Sequence, residues 1–190
     1  MSPPGRPKGE YRKAQPEGTP VSTASPAVAD DGLSPADAAH LRRAIALSAE
    51  GRARGNRPFG AVVVGADGAV LAEAWCHTGE TGDCTGHAET SAVRLVSPRV
   101  PREALAGATL YSSAEPCVMC AGAIFWSNIG RVVYGIDAVR LRHYRGERLD
   151  QRDAELSCRD VFAAAAHPIA CIGPVLADEA AVVHEGAWKA

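Results

Sequence analysis

The sequence predicts an α/β layered domain with helices on both faces of one sheet. Three observations carry that expectation. Short apolar runs read as strands, longer capped segments read as helices, and the two alternate along the chain without an internal repeat. At 190 residues the chain is long enough for one domain with a sizeable core plus a tail.

Residues 1–32 hold six of the thirteen prolines, with Gly, Ser, Thr and mixed charges and no apolar periodicity. Such a segment cannot bury enough surface to offset its ordering entropy, so it is expected to be a disordered tail. The domain is expected over 33–190. Order begins at "LSPADAAHLRRAIALSAEGRARG". Ser34 fits the N-cap, Pro35 the first helical position, and Asp37 the reciprocal capping position, where Glu or Gln is the usual residue. Leu41, Ala44, Ile45 and Ser48 follow at helical spacing, and Gly51 or Gly55 ends the helix.

"PFGAVVV" is a nearly continuous apolar strand, "GADG" a turn and "AVLAEAWC" a second strand. "HTGETGDCTG" reads as a loop leading into a helix over 86–97. "ATLYSS" is a strand, and a helix is expected from Pro116 to Asn128. The strand "RVVYGI" follows. Residues 138–153 are polar and carry no periodicity that assigns them. "AELSCRDVFAAAA" reads as a helix, "PIACIG" as a strand and "ADEAAVVHEGAWKA" as a final helix.

Composition narrows the function classes. Hydrophobic content is 46% and the formal net charge is -2, which argues against a surface built mainly to grip phosphate backbones. No stretch approaches the ~18 apolar residues of a membrane span. No apolar leader core is seen near the N-terminus, so the cytoplasm is the expected compartment. The six cysteines are Cys76, Cys84, Cys117, Cys120, Cys158 and Cys171. A Cys-x-x-Cys in such a chain points to metal or redox work rather than a disulfide framework.

Cys117 and Cys120 share one face at the start of a helix, where the helix dipole favours thiolates. His87 and Glu89 sit in the first turn of another helix. Two residues apart, they point differently, so one should bind a metal while the other reaches into an adjoining pocket. Two Cys and one His make three zinc ligands, the number that leaves a fourth position for water at a catalytic site. A lone Cys-x-x-Cys can be a redox pair and a lone His a satisfied core residue. The joint pattern of His87, Glu89, Pro116, Cys117 and Cys120 outweighs both. It matches the H-x-E…P-C-x-x-C signature of zinc deaminases. For Cys76, Cys84, Cys158 and Cys171 the expectation is a buried small hydrophobe.

These residues give the resemblance its content. "RPFGAVVV", "TGHAET", "TLYSSAEPCVMCAGAIFW", "IGRVVYGID" and "CRDVF … IGPVLADEAAVVHEGAW" resemble the cytidine deaminase superfamily. The branch is the one that holds guanine and other nucleobase deaminases and the tRNA adenosine deaminases. The resemblance covers residues 35–188. It implies a three-layer α/β/α fold with a mixed five-stranded sheet, and a homodimer. It implies Zn2+ held by His87, Cys117 and Cys120 that acidifies water. Glu89 would then carry a proton to a ring nitrogen and on to the departing amine. It further implies substrate contacts from Phe59, Cys76, Ala88 and Trp188, with backbone N–H groups near Ala88 and Cys117 steadying the tetrahedral intermediate. Cys76 departs from the pattern, because many relatives carry an Asn eleven residues before the zinc histidine, and a thiol is a weak hydrogen-bonding group.

The expected reaction is therefore hydrolytic deamination of an amino-substituted nucleobase, nucleoside or related small heterocycle. The near alternative is a tRNA adenosine deaminase, which "EPCVMCAGA" and "IGRVV" would suit. Against it, the final segment is acidic where an RNA-docking terminus should be basic. Arg140, Arg142, Arg145, Arg148 and Arg152 interleave with Glu147, Asp150 and Asp153, and so read as a solvated face. A non-catalytic zinc module is the remote alternative, and the presence of Glu89 argues against it.

Overall fold

The structure is a computed structural model that describes residues 33–146 and 156–188. The expected tail, residues 1–32, and the stretch 147–155 lie outside the described residues. The elements are α1 (Pro35–Ala53), β1 (Gly60–Val64), β2 (Val70–Trp75), α2 (Thr78–Thr81), α3 (Ala88–Val96), α4 (Arg102–Leu105), β3 (Thr109–Ala114), α5 (Val118–Ser127), β4 (Arg131–Ile136), α6 (Ala138–Arg145), α7 (Cys158–Ala163), β5 (Ala170–Ile172) and α8 (Ala177–Val182).

The five strands form one mixed sheet in the order β2-β1-β3-β4-β5. β1 pairs antiparallel with both β2 and β3, while β3–β4 and β4–β5 are parallel. β1 explains the layering. All five of its residues are buried, which an unbroken apolar strand requires when both sheet faces are covered. Ala61 and Val63 join Ala88, Ala92 and Val96 of α3 and Ala121 and Ile124 of α5 on one face. Val62 and Val64 meet Leu41, Ala44 and Leu47 of α1 on the other. Gly60 permits that contact, because a Cβ there would collide with the backbone at Ala44 and Ser48.

The first helix starts as expected. Ser34 and Asp37 form a reciprocal capping box, with Asp37 N–H donating to Ser34 Oγ at 3.0 Å. The structure also explains why the shorter acid occupies this place. Asp37 is buried, receives the Tyr111 hydroxyl at 2.7 Å and takes a two-pronged ion pair from Arg131 at 2.6 and 3.0 Å. One carboxylate thus ties α1 to β3 and β4. The Arg131 guanidinium holds its carboxyl well below the usual carboxylate range.

Some elements differ from expectation. α5 begins at Val118, so Pro116 precedes the helix and Cys117 is its extended N-cap. The polar stretch after β4 forms α6, capped by Asp137, whose side chain accepts from Arg140 N–H at 2.7 Å. The final helix ends early, at Val182. His184 N–H turns back to the Ala181 carbonyl, and Gly186 has φ 62, a conformation that breaks the helix.

That turn carries His184 into the interior. It is 0% exposed, stacks on Trp188 with ring centroids 5.9 Å apart and lies 5.5 Å from Phe59. Neither of its ring nitrogens has a hydrogen-bond partner among the described residues. Burial, with Arg145 and Arg52 adding repulsion, pushes its pKa down from 6.5 to about 4.

Two predictions follow from these contacts. Asp37→Ala leaves Arg131 partly buried without its partner and should cost about 3–5 kcal/mol, read from urea unfolding midpoints. His184 is neutral when folded, so its contribution is complete above 6.5 and lost as pH falls from there towards about 4. Unfolding midpoints should decline across that window, and His184→Phe should flatten the decline.

Candidate metal centre and active-site cavity

Two helix N-termini meet at the carboxyl end of β3. His87 caps α3 with extended backbone, and Cys117 caps α5 in the same way. Cys120 lies one turn inside α5. The His87 backbone is held through its carbonyl, which accepts from Ser91 Oγ at 2.7 Å and Thr90 Oγ1 at 3.0 Å.

The three donor atoms form a nearly equilateral triangle. Cys117 Sγ, Cys120 Sγ and His87 Nδ1 are each 3.6 Å from the other two. A tetrahedral zinc at ~2.3 Å from sulfur and ~2.0 Å from nitrogen requires edges of roughly 3.5–3.8 Å, so the donors fit that ion. Charge points the same way. The hydrogen bond with Cys120 draws the Cys117 thiol down to about 4, whereas that bond and burial push the Cys120 thiol up. A second thiolate at this distance requires a cation to offset the repulsion. Among the described residues, this is the one cluster of His, Cys, Asp or Glu with metal-ligating geometry.

Glu89 lies beside the triangle. Its carboxyl is 4% exposed, with Oε1 accepting from Ser112 Oγ at 3.1 Å and Oε2 from Cys120 Sγ at 3.5 Å. Burial, followed by the charge of Cys117, raises its pKa. A carboxyl shifted upward can both take and return a proton near neutral pH.

A cavity of about 340 Å³ opens over these groups. Of the residues singled out from the sequence, Phe59, His87, Glu89 and Cys117 line it. Three other expected contacts do not form its wall. Cys76 is fully buried, with Sγ 3.4 Å from Thr78 Oγ1, and Ala88 is buried beneath the start of α3. Trp188 packs behind Phe59 at a centroid distance of 5.9 Å, with the Arg145 guanidinium 6.0 Å from its ring.

Sequence reasoning missed much of the rest of the wall, including Arg57, Glu115, Leu141, Arg142, Arg145 and Leu156. Arg142 and Arg145 correct the expectation of a solvated face, because three-residue spacing on α6 presents both to the cavity. Arg140, off that face, pairs instead with Asp178 at 2.8 Å. Arg148 and Arg152 lie outside the described residues. The expectation for the remaining cysteines holds for Cys76 and Cys158, but Cys84 is exposed and Cys171 partly so. Glu115 stood in the quoted "AEPC" without a role. Its Oε1 accepts from Ser157 Oγ at 2.6 Å and Cys158 N–H at 3.3 Å, and its Oε2 from Ala138 N–H at 3.0 Å.

Comparison with known proteins agrees with this geometry. The family model for the cytidine and deoxycytidylate deaminase zinc-binding region matches residues 34–136. A probable cytosine deaminase of Schizosaccharomyces pombe is 41% identical over 161 residues, covering 82% of this chain and 94% of that protein. A tRNA-specific adenosine deaminase of Agrobacterium fabrum is 44% identical over 89 residues, 45% of this chain and 58% of that protein. The solved guanine deaminase from Nitrosomonas europaea superposes with a TM-score of 0.64 at 22% identity, covering 86% and 87% of the two chains.

The donor set sets a metal expectation. Protein purified without chelator should carry about one zinc per chain by elemental analysis, and Cys120→Ser should lose most of it. Metal-free preparations of the unmodified chain, or a Cys117–Cys120 disulfide in native protein, would contradict the site.

Proposed function

The chain belongs to the cytidine and deoxycytidylate deaminase zinc-binding family, and from that premise we propose that it deaminates a free amino-substituted nucleobase or a closely related small heterocycle. The reaction converts the ring C–NH2 and water to a ring carbonyl and ammonia. The observation that carries this reading is the buried Glu89 carboxyl beside the His87–Cys117–Cys120 triangle, at the base of a cavity of about 340 Å³. That volume suits one heterocycle with a modest substituent.

His87, Cys117 and Cys120 would hold Zn2+, which when bound supplies the Lewis-acid charge that makes water acidic enough to react near neutral pH. Glu89 takes the water proton and delivers it to the ring nitrogen. As the water oxygen adds to the ring carbon, Glu89 is left ionised; it then takes the remaining hydroxyl proton and passes it to the amine as the C–N bond breaks and the ring carbonyl forms. Ser112 fixes Oε1 of Glu89 during both transfers, which keeps the proton path short. N–H groups at the open ends of α3 and α5, at Ala88 and Cys117, face developing negative charge. Phe59 supplies a flat apolar wall for the ring, and Trp188 backs it. Cys76 shapes the same region from behind the wall.

Residues 33–190 act as one catalytic domain in this reading. The protein works in the cytoplasm, which accords with six unbridged cysteines. Among the described residues no helix is long and apolar enough to cross a membrane. A homodimer is part of the same proposal, supported by Trp126, which is 76% exposed on α5. The second reading is tRNA adenosine deamination. It is favoured by Arg57, Arg142 and Arg145 at the cavity, where phosphates could dock, and by the similarity to the Agrobacterium enzyme.

Ammonia release from a panel of nucleobases, nucleosides and tRNA, with and without chelator, separates the two readings. A free base should be turned over, chelator should stop the reaction, and tRNA should be inert. Turnover of tRNA alone would replace the first reading with the second. Glu89→Ala should keep zinc and fold while losing ~10²–10⁴-fold in turnover, because it removes the proton carrier and no metal ligand.

A further inference from the structure

A second pair of sulfurs lies outside the metal site. Cys158, the first residue of α7, is fully buried, and its Sγ is 3.8 Å from Sγ of Cys171 in β5. Cys171 is partly exposed and lines a surface cavity together with Arg159. Arg159 lies over the same strand end, donating to the carbonyls of Cys171 at 3.0 Å and of Gly173. The two thiols are therefore unlike. The hydrogen bond with Cys158, aided by the Arg159 charge, lowers the pKa of Cys171, while that bond and burial raise the pKa of Cys158. A more acidic, accessible thiol 3.8 Å from a protected one is the arrangement of an attacking and a resolving cysteine.

We propose that Cys158 and Cys171 form a redox-active pair, closed by a hydroperoxide into an intramolecular disulfide that loosens one wall of the active-site cavity. Cys171 sulfur attacks the terminal hydroperoxide oxygen and breaks the O–O bond. The sulfur becomes a sulfenic acid, and the other oxygen leaves as water or an alcohol. Cys158 sulfur then attacks the sulfenic sulfur, the S–O bond breaks, and hydroxide leaves with the Cys158 proton as water. Overall, two thiols are oxidised by two electrons and one peroxide is reduced.

Closure must bring the sulfurs from 3.8 Å to the ~2.0 Å of a disulfide, and α7 or β5 has to follow if side-chain rotation falls short. The first turn of α7 is the same backbone that secures Glu115, through Ser157 Oγ and Cys158 N–H. Glu115 lines the cavity and directly precedes Pro116 and Cys117. A shift at Cys158 is thus passed on by two hydrogen bonds to a group facing the substrate. The link to turnover rests on the deaminase reading, whereas the disulfide itself does not.

The test treats the zinc-loaded full chain with hydrogen peroxide and reads three quantities: bridged peptides by mass spectrometry, zinc content, and ammonia release. The expected result is a Cys158–Cys171 bridge two mass units below the dithiol, with zinc retained. Turnover should fall about tenfold, as small displacements of positioning groups can cause, and a dithiol reductant should restore it. Cys171→Ser and Cys158→Ala should each keep basal turnover and lose this sensitivity. No bridge between these two residues overturns the pair. A bridge with unchanged turnover overturns the switch. A loss of turnover that follows zinc release equally in both variants places the sensitive thiols at Cys117 and Cys120 and also overturns it. A chain that bridges as expected but releases ammonia from no substrate, even when reduced, would fail the deaminase reading and with it the switch, while leaving the disulfide standing.

Discussion

Three donor atoms 3.6 Å apart are the constraint on which the active site depends. They come from the starts of two helices, and nothing in either helix alone would bring them together. α3 and α5 pack side by side on one face of the sheet through Ala88, Ala92, Ala121 and Ile124. The three alanines among them let the helix axes approach closely. With the axes fixed, both N-termini point to the same spot, and His87 and Cys117 are at once N-caps and candidate metal donors. The partial positive charge of two helix ends then bears on two thiols that must ionise.

The sheet supplies the frame, and its stiffness comes from burial on both sides. β1 is wholly apolar and has neighbours on both edges, and a one-residue slip would put a side chain where only Gly60 clears the backbone of α1. Asp37 adds a polar tie on the face opposite the metal. A capping residue that also receives Tyr111 and Arg131 makes the start of α1 part of the β3–β4 ladder. β3 is the strand that leads into Glu115, Pro116 and Cys117, so this tie anchors the base of the metal loop from behind.

Around the donor triangle the cavity divides into two kinds of wall. Glu89, His87 and Cys117 form its floor, at the starts of α3 and α5. Arg142, Arg145 and Leu141 of α6, with Glu115 and Leu156, form the other side. On that side, hydrogen bonds from the starts of α6 and α7 converge on the two oxygens of Glu115. Trp188, His184 and Phe59 back the cavity with a stack of rings, which joins the C-terminal segment to the floor without placing its tryptophan on the wall.

The sequence by itself determined the layered class and most strand positions, and it singled out His87, Cys117 and Cys120 as candidate metal donors and Glu89 as the candidate proton carrier. Each of these rests on a local signal: strand runs, cap residues, or the spacing of His87, Glu89, Cys117 and Cys120. The family resemblance supplied the zinc chemistry and the five-stranded sheet. Tertiary structure alone decided the rest. Arg142 and Arg145 looked like one half of a solvated charge pattern until α6 formed and turned them to the cavity. Asp37 read only as a cap, because its partners Tyr111 and Arg131 lie 74 and 94 residues away. Cys158 and Cys171 were two separate small hydrophobes until α7 was laid beside β5. Glu115 had no visible partner, since the groups that hold it come from the starts of α6 and α7. Local signals report what a short segment prefers. Which distant side chains share a cavity depends on how the helices pack across the sheet, and that information is spread over the whole core.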